Sequence, residues 1–234
     1  MATMRRFYKE VSVREDDGLF AVQLDGRSVK TPSGAPLRLP SRALAGAIAR
    51  EWHSQDEEVR PASMPLTQLA STVLDRFPAA RAAVVDHLMG YAGADLLCYR
   101  ASAPADLVRR QEQVWQPLID WVETLIGARM SVTTGVIPVP QPADALDALC
   151  RRLDGLDDWH LAALQVAVTA TGSLILGLAL LERRLSAEEA FAASQLDETY
   201  QNELWGEDAE AVTSRTVRHN DITSIGDFLE LSES

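Results

Sequence analysis

A chain of 234 residues has room for one large domain or two small ones, and an apolar fraction of 47% with no low-complexity tract excludes wholesale disorder. Thirty-four acidic against 22 basic residues leave a net charge of −12, which excludes the basic footprint on which non-specific nucleic-acid binding relies. The charge is uneven: from Glu182 onward thirteen Asp and Glu face four Arg, whereas residues 1–60 are near neutral.

Residues 7–39 read as β structure. Phe7–Val13 is strand-like, Phe20–Leu24 alternates with one apolar face, and Asp25-Gly26 supplies a tight hairpin before Arg27–Thr31 returns. Pro32, Gly34 and Pro36 interrupt the pattern ahead of a short strand at Leu37–Leu39, and Pro40-Ser41 marks a switch to helical period. The expected class is therefore α+β: a small β-rich N-terminal domain over 1–40, with a boundary that could extend to about 63, and a larger all-helical domain over 41–234.

Within the helical part, Leu44, Ala47, Ile48 and Trp52 share one face, and Leu66, Leu69, Ala70, Val73, Leu74 and Phe77 form a second stripe that Pro78 is expected to stop. A further helix is expected over Ala79–Tyr91. Pro104 opens a helix with Leu107, Gln111, Val114, Leu118, Trp121 and Leu125 in its stripe and a kink expected at Pro117. Asp95–Tyr99 fits neither period, and Met130–Val136 reads as a short extended segment.

The longest apolar run, Leu161–Leu181, carries no charge and has about the roughly 20 residues of a membrane span. Gln165, Thr169, Thr171, Ser173 and several alanines dilute it, so the expectation is a single buried helix at the centre of the helical domain, with a membrane anchor as the alternative. Ser186-Ala187-Glu188-Glu189 is a capping box, from which a helix should run to Trp205 and stop at Gly206. Glu207 and Asp208 then place negative charge at the start of a last helix.

No catalytic or cofactor signature is present: no glycine-rich phosphate loop, no nucleophile elbow, no paired metal-ligand spacing. His53, His87, His160 and His219 fall on four separate elements, and Cys98 and Cys150 fit no redox or metal spacing, which points to a reducing compartment. The N-terminus MATMRRFYKEVSV has neither an apolar signal core nor the character of an Arg/Ser-rich presequence, so a cytoplasmic location is expected. An enzyme would have to assemble its site from dispersed acids such as Glu51, Asp95 and Glu198, which nothing in the sequence brings together.

The informative stretch is Phe191–Trp205. At about 100° per residue, Ala193, Leu196, Tyr200 and Leu204 line one face that should dock on the core, and Phe191, Gln195, Glu198, Asn202 and Trp205 line the other. Either further helices cover that second face and pair Glu198 inside it, or aromatic ends around a central carboxylate form a partner-contact surface.

Several blocks together resemble the ATP-twelve family of assembly chaperones. They are Leu24-Asp25-Gly26-Arg27 with Lys30-Thr31-Pro32, Glu51-Trp52, Met64-Pro65-Leu66-Thr67, Asp95–Arg100, Leu196-Asp197-Glu198 with Tyr200-Gln201, and Trp205-Gly206-Glu207-Asp208. The resemblance implies a non-enzymatic protein that needs no cofactor. It would bind the free α subunit of the F-type ATP synthase catalytic head and shield its interface until the β subunit replaces it. It also implies a partner-binding acidic position in the helical domain, best matched by Glu198 with Asp197, Glu207 and Asp208 as alternatives; Phe191, Asn202 and Trp205, from the helical face read above, complete the expected partner-binding set. Eukaryotic members carry a mitochondrial presequence and work in the matrix; this chain resembles a bacterial, cytoplasmic member.

Overall fold

The computed structural model describes residues 4–135, 137–206 and 209–232. The chain divides into two compact units, Met1–Arg81 with Asp227–Ser234, and Ala82–Gly226.

In the first unit, strand β1 (Met4–Arg5) precedes a hairpin of β2 (Val11–Asp16) and β3 (Leu19–Leu24). Their antiparallel register sets Val11 opposite Leu24 and Asp16 opposite Leu19. Asp25 and Gly26, both at positive φ (49° and 77°), turn the chain into β4 (Arg27–Ser28), as the Asp-Gly pair leads one to expect. Strand β5 (Arg38–Leu39) also pairs with β3, placing Leu39 opposite Phe20. Helix α1 (Arg42–His53) is capped by Ser41, whose Oγ accepts from Leu44 N at 3.0 Å. It packs on β2, β3 and β5, so Leu44, Ala45 and Ile48 close over Val22, Leu24, Leu37 and Leu39 as a continuous apolar core. Strand β6 (Glu58–Val59) returns to pair with β1.

Helix α2 (Pro65–Gly93) runs unbroken through Pro78, contrary to the stop expected there. Proline forfeits one backbone hydrogen bond, a cost that the burial of Ala70, Val73 and Phe77 in the preceding turns offsets.

The second unit is helical. A single 3₁₀ turn at Leu96–Cys98 leads into β7 (Tyr99–Arg100); helix α3 (Ala105–Ile126) follows, then β8 (Thr133–Thr134), which pairs parallel with β7. Helix α4 (Ala143–Asp154) comes next. The apolar run is buried, as expected, but as two helices: α5 (Asp158–Thr171) and α6 (Leu174–Leu181). Gly172, in the left-handed region at φ 72°, ends α5, and Ser173 caps α6. All eight residues of α6 are buried against α3, α5 and α7 (Ala187–Ser194), which makes this short helix the axis of the unit. Gly177 permits the closest approach: a Cβ there would lie 2.6 Å from Val168 Cγ2 and 2.9 Å from Leu164 Cδ1.

Helix α7 begins with the complete capping box of Ser186 and Glu189, but it ends at Ser194; after a break at Gln195, α8 (Leu196–Trp205) continues to Gly206. Helix α9 (Ala209–Ser232) closes the chain. The class is α+β, with most of the strands near the N-terminus and helices predominating thereafter. Among the described residues, no helix is long and apolar enough to cross a membrane.

Candidate functional site

Helices α7 and α8 are fixed to α3 from beneath. Trp115 Nε1 donates to the Ala193 carbonyl at 2.9 Å, and Gln111 Nε2 donates to Asp197 Oδ1 at 2.7 Å. Gln111 is itself buried and accepts from Ala101 N at 2.8 Å through its carbonyl oxygen, so it is held at both ends. Arg110 lies 5.1 Å from the Tyr200 ring centroid and bridges Asp106 (3.2 Å) and Glu203 (2.8 Å). Leu196 and Tyr200 dock inward as the helical spacing implies.

The break at Gln195 rotates α8 relative to α7, so the residues expected on one open face do not share it. Phe191 and Gln195 are buried. The Phe191 ring meets His219 edge-on at 4.7 Å and lies 5.5 Å from the Arg215 guanidinium, which makes it packing rather than contact surface. Glu198 is half-buried, its side chain 32% exposed, and its Oε2 accepts from Arg218 Nη1 at 3.3 Å on α9. A pair this open to solvent contributes at most about 1 kcal/mol. Asp197 serves as the acceptor that seats α8 on α3. Asn202 is half-buried and its carbonyl receives the Gly206 N–H at 2.9 Å. Glu207 and Asp208 lie outside the described residues.

Trp205 is 78% exposed and its neighbour Leu204, expected on the docking face, is 55% exposed. Val212 and Val217 on α9 are exposed as well. Two large apolar side chains at the end of a helix, just before a glycine stop, are the signal in the sequence that could have marked Leu204 together with Trp205. Arg110 and Arg218, which hold α8 and Glu198, carry no such signal, because their partners lie far away in sequence.

The other acids are occupied elsewhere. Asp95 is fully buried; Oδ1 accepts from Ser173 Oγ at 2.7 Å and Leu97 N at 3.0 Å, and Oδ2 accepts from Ile175 N at 3.1 Å. It therefore sits on the N-terminus of α6, where the helix dipole and free N–H groups favour an anion. Burial outweighs those bonds and raises its carboxyl to about 6. Glu51 receives Leu66 N (2.8 Å), Thr67 N (2.9 Å) and Thr67 Oγ1 (2.6 Å), capping α2; burial raises its carboxyl too. Each of Glu51, Asp95 and Glu198 is thus engaged by its own donors, and among the described residues no cluster of His, Cys, Asp or Glu is placed to hold a metal ion.

The chain resembles proteins of known family across most of its length. The family described as ATP12 chaperone protein matches residues 5–123. Protein atp12, mitochondrial, of Schizosaccharomyces pombe is 29% identical over 231 residues, covering 93% of this chain and 79% of that protein. Protein ATP12, mitochondrial, of Saccharomyces cerevisiae is 24% identical, covering 92% of this chain and 81% of that protein. Among solved structures, Atp12 from Paracoccus denitrificans superposes with a TM-score of 0.92 at 43% identity, over 97% of this chain and 98% of that one. An Asp-to-Lys variant of Atp12p from the same organism matches at the same TM-score and identity, over 97% of each chain. The match spans both the strand-bearing start and the helices after it, and the chain belongs to the ATP12 chaperone family, a family of chaperones rather than enzymes.

Proposed function

We propose that this protein is an assembly chaperone of the F-type ATP synthase that binds the free α subunit. It would shield that subunit's interface until the β subunit takes its place. The observation that carries the reading is Trp205, a large aromatic left 78% exposed, with Leu204 beside it, at the end of a helix whose other side is pinned to α3. Exposed aromatic and aliphatic groups on a rigid support are what anchor protein interfaces, and half-exposed Asn202 and Glu198 supply polar groups one and two turns away. Binding and release then require only that the β subunit compete with higher affinity, so neither nucleotide nor metal enters the cycle. A cytoplasmic location is part of the proposal, supported by two free cysteines.

The test is whether the purified protein forms a gel-filtration complex with isolated α subunit and suppresses its aggregation without ATP. Trp205→Ala and Glu198→Lys should each weaken the complex while leaving the far-UV CD and melting temperature nearly unchanged. Absence of any complex at micromolar concentrations refutes the client assignment; a collapsed fold in Glu198→Lys makes that carboxylate structural instead.

A further inference from the structure

The first unit contains a groove of about 580 Å³ that the α8 surface leaves unused. Phe7, Leu24, Val29 and Trp52 line its apolar side, and Asp25, Arg27 and Lys30 its polar side. Five of these residues belong to the Leu24–Arg27 turn, the Lys30 block and the Glu51-Trp52 pair, which nothing at α8 explains.

The polar groups are unbalanced. Asp25 accepts from Glu10 N at 2.8 Å and Lys9 N at 3.1 Å, bonds that hold its carboxyl below the usual range, so its acceptor capacity is directed into the hairpin. Arg27 and Lys30 are exposed, and neither side chain makes a hydrogen bond or a close salt bridge among the described residues, although the Arg27 charge helps to hold the Asp25 carboxyl down. The Trp52 carbonyl receives the Tyr8 hydroxyl at 2.7 Å, but its indole N–H is buried with no acceptor among the described residues. That N–H is closed off from solvent, so it reports on the groove its ring lines without itself bonding an occupant. Phe7, 64% exposed, adds a bare aromatic ring to the wall.

We infer that this groove docks an extended acidic segment of the client polypeptide, its carboxylate drawn to Arg27 and Lys30 and an adjacent apolar side chain set against Phe7 and Trp52. The inference rests on the chaperone reading only in taking its occupant from the client. In a protein of net charge −12, the two cations at this groove favour an acidic partner there. A free small anion would leave the apolar wall unused, and the overall charge disfavours nucleic acid.

The test uses the full chain, ¹⁵N-labelled, with five indole N–H resonances to monitor, that of Trp52 being identified by its loss in Trp52→Phe. A capped hexapeptide of alternating Leu and Glu should move the Trp52 resonance saturably. The same peptide with Gln for Glu should bind at least tenfold more weakly, as should the acidic peptide to Arg27→Glu/Lys30→Glu. That double variant should also lose at least fivefold in affinity for the client at an unchanged melting temperature. No movement of Trp52, an equal response to the Gln peptide, the same shift from acetate or phosphate alone, or unaltered client affinity in the double variant would each overturn the inference. A wild-type protein that binds the acidic peptide but forms no client complex would instead refute the client assignment.

Discussion

Replacing Asp95 tests how the buried axis of the helical unit is held. Asp95→Ala removes the acceptor for Ser173 Oγ, Leu97 N and Ile175 N. The hydroxyl can turn elsewhere, but the two backbone donors stay buried, at about 1–3 kcal/mol each, so the variant should lose about 2–6 kcal/mol. Asp95→Asn separates charge from shape. With its carboxyl raised by burial from the ordinary value to about 6, the folded protein binds a proton here that the unfolded chain releases between about pH 4 and 6. The stabilisation from the protonated acid is therefore complete below the unfolded pKa and is lost as pH rises through about 6. A shift of about two units corresponds to about 3 kcal/mol. Asparagine does not titrate, so wild type should gain on Asp95→Asn by up to that amount as pH falls from 7 to 4. Urea unfolding monitored by far-UV CD across this range measures the gap. A difference between the two proteins that is independent of pH, or one in which wild type gains on Asp95→Asn as pH rises, would show that the α6 donors dominate and would refute the burial argument.

Further perturbations probe other joints. Gly177→Ala forces a methyl into Val168 and Leu164; the overpacking should cost about 1–3 kcal/mol, reduced by the roughly 1 kcal/mol that alanine gains over glycine in a helix, and differential scanning calorimetry should show a lower melting temperature. Glu51→Ala uncovers the Leu66 and Thr67 amides of α2 and should destabilise by about 1–2 kcal/mol in urea titration, as loss of a helix cap does; an unchanged midpoint would mean that water replaces the carboxylate. Ser186→Ala, which opens the capping box of α7, should cost about 1 kcal/mol, and a loss confined to that helix would appear as faster amide exchange at Glu189.

Much of the local architecture is written in short-range pattern. Asp25-Gly26 turns the hairpin because that pair tolerates positive φ. Ser41 and Ser186 cap helices because their hydroxyls reach free amides three residues on. The blocks that resemble the ATP-twelve family, in their order along the chain, led to the family that comparison with known proteins shows. Each of these features depends on residues a few positions apart, or on a motif carried intact.

Tertiary structure decided the rest. The run from Leu161 to Leu181 is apolar on every side, so it has no periodicity by which a helix boundary could be located, and the division at Gly172-Ser173 is fixed by Asp95, a buried anion from a distant turn. The break at Gln195 likewise turned the expected open face, burying Phe191 while leaving Leu204 bare, because an angle of 100° per residue holds only along an unbroken helix. By itself the sequence determined the class, the caps, the hairpin and the family. Which acids are structural, and which apolar side chains face solvent, was settled by contacts between residues that the chain brings together only on folding.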